Sequence, residues 1–287
     1  MRVPSVHSKA QNRLNSHERK HSISEKENSM QTDAIEQVYF SPAGTTKAVV
    51  DEISKAFFGQ KNEFNLMWDP LDEETVIPSN TLAIVAMPVF SGRIPDLCAK
   101  KLANLKGENT PAIALVTYGN REYEDALLEL KTILEGNGFV LLGAGAVVTQ
   151  HSIFPQVGTD RPDTQDKRAL TTFARQCSQK LRAYPEKPLP AIEVKGNFPY
   201  REYKVPAMKP TVNDNCTLCG ICASVCPVGA IPPDNPKTKD TDLCITCTAC
   251  IAVCPEKAQG FHSPEYAEHG AVFAEKNSAR KEPEFFM

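Results

Sequence analysis

Cys216-Thr217-Leu218-Cys219-Gly220-Ile221-Cys222-Ala223-Ser224-Val225-Cys226-Pro227 is repeated in kind 28 positions later as Cys244-Ile245-Thr246-Cys247-Thr248-Ala249-Cys250-Ile251-Ala252-Val253-Cys254-Pro255. Eight of the ten cysteines fall in these two runs, each spaced C-x2-C-x2-C-x3-C-P. Two residues between thiolates let three sulfurs of one tight loop face a single cube of iron and sulfide, while the fourth, beside proline, points to a neighbour. The spacing therefore assigns Cys216, Cys219, Cys222 and Cys254 to one [4Fe–4S] cluster, and Cys244, Cys247, Cys250 and Cys226 to a second. Zinc also takes C-x2-C pairs, but it needs pairs set apart by a spacer, and three crowded thiolates plus a Cys-Pro suit it poorly. Disulfides are disfavoured because no apolar leader core lies near Met1, so a cytoplasmic, thiol-preserving compartment is expected.

Around the ligands, Ile221, Val225, Ile231, Ile245, Ile251 and Val253 supply apolar cover that would exclude water and help set potential. A segment of about 50 residues cannot hold itself together by burial alone and requires such staples. On these motifs residues 211–262 resemble the two-cluster bacterial ferredoxins. The resemblance implies a small α+β domain that carries electrons. Four cysteines per cluster would close both sites, which favours carriage over chemistry at iron.

Upstream, Pro185, Pro188, Pro190, Pro199, Pro206 and Pro210 crowd a stretch without periodicity, expected to be a Pro-rich connector over 185–210. Before it, residues 34–184 alternate apolar runs with amphipathic stretches. Ile35–Phe40, Thr81–Val89, Ala112–Tyr118 and Phe139–Val148 read as strands, with Asn62–Met67 a weaker fifth. Their near-continuous Val, Ile, Leu and Ala require cover on both faces, hence a parallel sheet between helices. Tyr123, Ala126, Leu127, Leu130, Ile133 and Leu134 mark one helix face within Arg121–Glu135, and Val49, Val50, Ile53, Ala56 and Phe57 mark another. This is an α/β, doubly wound, five-stranded parallel sheet, and its ligands belong beyond the carboxyl ends of the strands.

Three loops fall at that edge. Ser41-Pro42-Ala43-Gly44-Thr45-Thr46-Lys47 opens the first helix, where amides and the helix dipole hold phosphate, although a Ser/Thr cluster there also serves as a plain N-cap. Pro88-Val89-Phe90-Ser91-Gly92-Arg93 and Tyr118-Gly119-Asn120-Arg121-Glu122-Tyr123 follow later strands and complete a rim suited to a flat ring with a phosphate tail. The pattern resembles the flavodoxins. The resemblance implies FMN, with Ser41, Gly44, Thr45 and Thr46 on the phosphate, and Phe90 and Tyr118 or Tyr123 against the ring. Pro88, Ser91, Gly92, Gly119 and Asn120 would complete the loops. Ala43 and Pro42 depart from that family's pattern and would weaken the phosphate grip. With His151-Ser152 after the last strand, the whole chain is similar to the EFR family of flavodoxin–ferredoxin fusion proteins of anaerobes; the resemblance would set His151 and Ser152 on the flavin rim, but a satisfied strand-end histidine is the preferred expectation.

An electron carrier relaying between redox proteins is the leading expectation. The alternatives are a flavin-dependent reductase fed by its own clusters, and a ferredoxin with a cofactor-free flavodoxin-like docking domain. A formal charge of −3 offers no field for nucleic acid, and no apolar run reaches the length of a membrane helix. Residues 1–33 are polar and expected to be a disordered extension, with translation from Met1 or Met30 both open. Residues 263–287 are expected to be a tail. Cys98 and Cys177 read as apolar packing residues, Trp68 as core or surface, and Arg161-Pro162-Asp163 as a helix start.

Overall fold

The computed structural model describes residues 32–185 and 187–287. Strand β1 (Ala34–Tyr39) leads into helix α1 (Thr45–Ser54), then β2 (Gln60–Asn65), the short β3 (Thr75–Ile77), β4 (Thr81–Pro88), α2 (Asp96–Leu102) and β5 (Leu105–Gly107). After these come β6 (Thr110–Tyr118), α3 (Ala126–Gly136), β7 (Phe139–Val148) and α4 (Thr164–Ala183). The central strands run parallel in the order β7-β6-β4-β1-β2. Leaving aside β3 and β5, which pair with each other, this is the flavodoxin-like order 2-1-3-4-5. The apolar runs explain it: every residue of β6 is buried, as a strand covered on both faces must be. Val49, Val50 and Ile53 of α1 and Leu170, Phe173 and Cys177 of α4 cover one face, and Leu127, Leu130 and Leu134 of α3 the other.

Three boundaries differ from expectation. The weak strand lies at Gln60–Asn65 rather than Asn62–Met67. Helix α3 begins at Ala126, not Arg121, because residues 121–125 form a rim loop in which Arg121 makes a bidentate pair with Glu124. The extension expected over 1–33 lies outside the described residues except for its last two. Thr32 is buried, with its hydroxyl donating to the Phe58 carbonyl at 3.3 Å, and Asp33 N–H donates to the Asn80 carbonyl.

The sheet has a sixth strand that the sequence reading did not include. Downstream of the linker come β8 (Thr211–Val212), α5 (Ile221–Ser224), α6 (Ala249–Ala252), β9 (Gln259–Gly260), α7 (Pro264–Lys276) and β10 (Glu284–Phe286). Segment 263–287, expected as a tail, thus supplies a helix capped by Ser263 and a strand antiparallel to β7. Phe285 stacks on Phe173 with centroids 4.4 Å apart. It lies where a Cβ on Gly145 would stand, so the small residues of β7 make room for it.

The proline-rich stretch carries no helix or strand among its described residues, yet it is not a free connector. Ile192 is buried in the α/β core, and Asp125 accepts from the amides of Asn197 and Arg201 at 2.8 and 2.7 Å. Burial alone would raise the Asp125 carboxyl, but these amides and the Arg201 charge hold it below the usual carboxylate range.

Candidate functional site

The 28-residue repeat is also a repeat of backbone geometry. Leu218 and Thr246 adopt φ of 61° and 58°, Gly220 and Thr248 75° and 69°, Gly229 and Lys257 63° and 50°. The left-handed pair before each short helix turns three cysteines of a run inward. That costs little at Gly220 and more at the β-branched Thr248. Ala230 N–H donates to Cys226 Sγ and Ala258 N–H to Cys254 Sγ, both at 3.2 Å. The pairing of β8 with β9 closes the two halves on each other.

This geometry gathers the eight thiols into two groups. One cavity is lined by Cys216, Cys219, Cys222 and Cys254, the other by Cys226, Cys244, Cys247 and Cys250. Among the described residues no three His, Cys, Asp or Glu are spaced to hold a single metal ion. Four thiols around one small cavity suit a polynuclear iron–sulfur cluster. None of the eight is in a disulfide, and burial pushes Cys247 up to about 12, so an anion there depends on metal ligation. The first quartet is outer: Cys219 is exposed and Leu218 and Ile221 beside it are 57% and 41% exposed. The second is inner, with Cys247 and Ala249 part of the α/β domain's own core.

At the carboxyl ends of β1, β4, β6 and β7 lies a cavity of about 640 Å³. Of the residues expected there, Thr45, Thr46, Pro88, Phe90, Ser91, Gly92, Tyr118 and Gly119 line it. Ser91 and Gly92, with φ of 53° and 82°, make the two-residue turn that presents Phe90, and the Ser91 hydroxyl donates to the Lys204 carbonyl at 2.6 Å. Four expected residues do not line it. The Ser41 hydroxyl accepts from Lys47 N–H at 3.0 Å and shapes the loop, while Gly44 caps α1 with φ 83°. The Asn120 side chain donates to the carbonyls of Asn277 and Ala279. Tyr123 is buried and donates to Glu284 at 3.0 Å. Thr46 is partly committed, its hydroxyl sharing a hydrogen bond of 2.8 Å with that of Thr117.

Most of the remaining lining comes from outside those three loops. His151, Ser152 and Phe154 follow β7; Arg201, Lys204 and Met208 come from the linker, and His269 and Phe273 from α7. Ile245 and Thr246, between the inner-quartet ligands Cys244 and Cys247, form part of the same wall. His151 Nδ1 accepts from the amides of Ile153 and Phe154, both at 3.1 Å, which places its proton on Nε2. Its ring packs over Gly119, where any side chain would collide with it, and lies 5.0 Å from Phe273. Burial and the neighbouring Arg121 charge lower its pKa to about 4. Cys98 and Cys177 are fully buried, and burial raises both thiols, Cys177 to about 12. Trp68 is at the surface.

Residues 215–259 match the model of the 4Fe-4S dicluster domain family. The chain thus joins a doubly wound α/β domain of strand order 2-1-3-4-5 to a segment that matches a 4Fe-4S dicluster family. No curated protein sequence matches it. Among solved structures it is similar to a flavodoxin from the domain Archaea, at 13% identity and TM-score 0.37, covering 52% of this chain and 99% of that one. A Fusobacterium nucleatum flavodoxin variant bound to flavin mononucleotide gives 14% identity and TM-score 0.37, covering 51% and 96%. Rubredoxin oxygen:oxidoreductase from Desulfovibrio gigas gives 16% and 0.41, with 59% of this chain aligned to 41% of that longer one. The 4Fe-4S match over 215–259 points to electron transfer with redox partners in general. Among the described residues no helix is long and apolar enough to cross a membrane.

Proposed function

We propose that this protein relays electrons between redox proteins through two [4Fe–4S] clusters and FMN. Cys216, Cys219, Cys222 and Cys254 hold the outer cluster, and Cys244, Cys247, Cys250 and Cys226 the inner. One observation carries the reading: Ile245 and Thr246 belong at once to the inner-quartet loop and to the wall of the α/β cavity. The cavity volume lies within the roughly 300–1,000 Å³ of small-molecule sites. Thr45 and the first amides of α1 suit a phosphate, and Phe90 and Tyr118 suit a flat ring. His151 keeps an N–H for that ring, and the linker and α7 exclude water. When bound, a flavin supplies exchange between one- and two-electron partners. Linkage within one chain removes the need for the two domains to find each other by collision.

Protein purified without oxygen is expected to contain roughly eight irons and eight sulfides per chain, with separable flavin and cluster absorption. Zinc in place of iron would overturn the reading. Iron and sulfide without flavin, even after incubation with FMN, would leave a ferredoxin and remove the relay.

A further inference from the structure

Charge breaks the symmetry of the repeat. Two positions after its crossover cysteine, Val228 lines the inner cavity, whereas the equivalent Glu256 lines the outer one. Lys239 lines the inner cavity, held by a 2.9 Å hydrogen bond to the Pro210 carbonyl, with its Nζ 3.7 Å from Cys250 Sγ. The same ammonium donates to Gln259 Oε1 at 3.4 Å, and the buried Gln259 amide donates to Cys222 Sγ of the outer quartet at 3.3 Å. A cation therefore touches a sulfur of the inner quartet, whereas the side chain on a sulfur of the outer one is a neutral amide. A second cation, Lys209, donates to the Cys244 carbonyl and the Thr246 hydroxyl of the inner loop at 2.6 and 3.1 Å. Nearby Asp240 is exposed and does not line the cavity; its carboxylate accepts from the amides of Asp242 and Leu243, and its charge is screened by solvent. Lys257, next to Glu256, does not line the outer cavity.

Building on the cluster assignment proposed above, we infer that Lys239 and Glu256 rank the two quartets, giving the inner cluster the higher reduction potential and drawing electrons inward toward the α/β cavity. Reduction adds one negative charge to a cluster, so a cation beside it favours the reduced form and a carboxylate opposes it. The step moves one electron and no proton: the outer cluster is oxidised as the inner is reduced, and a low-potential one-electron protein donor refills the outer. Glu256 is exposed and more screened by salt than the partly buried Lys239, so the lysine carries the larger share.

The test is a redox titration of the full-length, cluster-loaded chain followed by electron paramagnetic resonance. Lys239→Met should move the higher-potential step down by about tenfold in its reduction equilibrium, roughly 59 mV for one electron. Glu256→Gln should move the lower-potential step up by a smaller factor, and Lys239→Arg should leave both in place. Both charge-removing variants acting on one step, or neither acting on any, would overturn the ranking while iron and sulfide content still supported two clusters. A wild-type chain without iron and sulfide would instead overturn the cluster assignment on which the ranking is built.

Discussion

His151 carries a neutral imidazole in a place where a charged one would be costly. In the unfolded chain it titrates near its ordinary value of 6.5, and in the fold near 4. The unfolded chain binds the proton first, so the residue's contribution to stability is complete above about pH 6.5 and declines as pH falls toward 4. At full extent the loss is about 3 kcal/mol. Urea unfolding followed between pH 7 and 4 should show that slope in the native protein and a flatter one in His151→Gln, whose amide oxygen can still accept from Ile153 or Phe154; an unchanged slope would assign the pH dependence to other groups. Sequence spacing brought the reading close to this residue, since Gly119 and His151 stand at the ends of adjacent strands. What it could not show is that the ring lies over the glycine, or that Nδ1 is already taken by two amides. Tyr123 illustrates the opposite failure. It sits in a rim loop as expected, yet its hydroxyl is drawn away from the cavity by Glu284, a carboxylate 161 positions along the chain.

Among the elements, β10 is the one whose absence from the sequence reading matters most. Three residues, Glu284–Phe286, are too short to announce a strand, and a C-terminal run of apolar residues has no period to read. The signal lay instead in its partner: β7 carries Gly143, Ala144, Gly145 and Ala146, a small-residue stretch that marks something packed closely against it. Phe285→Ala should destabilise the fold by about 2–3 kcal/mol, less than a fully buried phenylalanine because the ring is only partly covered. It should also expose the β7 edge and raise the tendency to associate, which light scattering would register. A stability within about 0.5 kcal/mol of the native protein would mean that β10 is ornamental. The long strands, by contrast, were legible because burial on both faces leaves a continuous apolar run that no helix or loop would need; α3 followed from its apolar spacing, and the helix start read at Arg161-Pro162-Asp163 is where Asp163 caps α4 with Asp166 in a reciprocal box.

Across the molecule, the ferredoxin-type segment and the linker share a core with the α/β domain through Cys247, Ala249 and Ile192. Anaerobic removal of iron by a chelator should therefore free more than the cluster loops. Hydrogen exchange is expected to accelerate over 211–262 and over the linker residues that wall the cavity, while β1, β4, β6 and β7 keep their protection. Exchange confined to the cysteine loops, or spreading through the sheet, would contradict that division. The sequence could name the two domains from their motifs, but it read the intervening prolines as a spacer because hydrogen bonds such as Asn197 to Asp125 join residues 72 positions apart without any local pattern. The chain leaves the α/β domain after α4 and returns to it through α7 and β10. The cluster-bearing segment is thus a loop-out held at both ends, not a pendant on a leash. Swinging it aside would mean lifting the linker off Asp125 and breaking the packing of Cys247 and Ala249 on the α/β core, so the relay proposed above would call for no hinge.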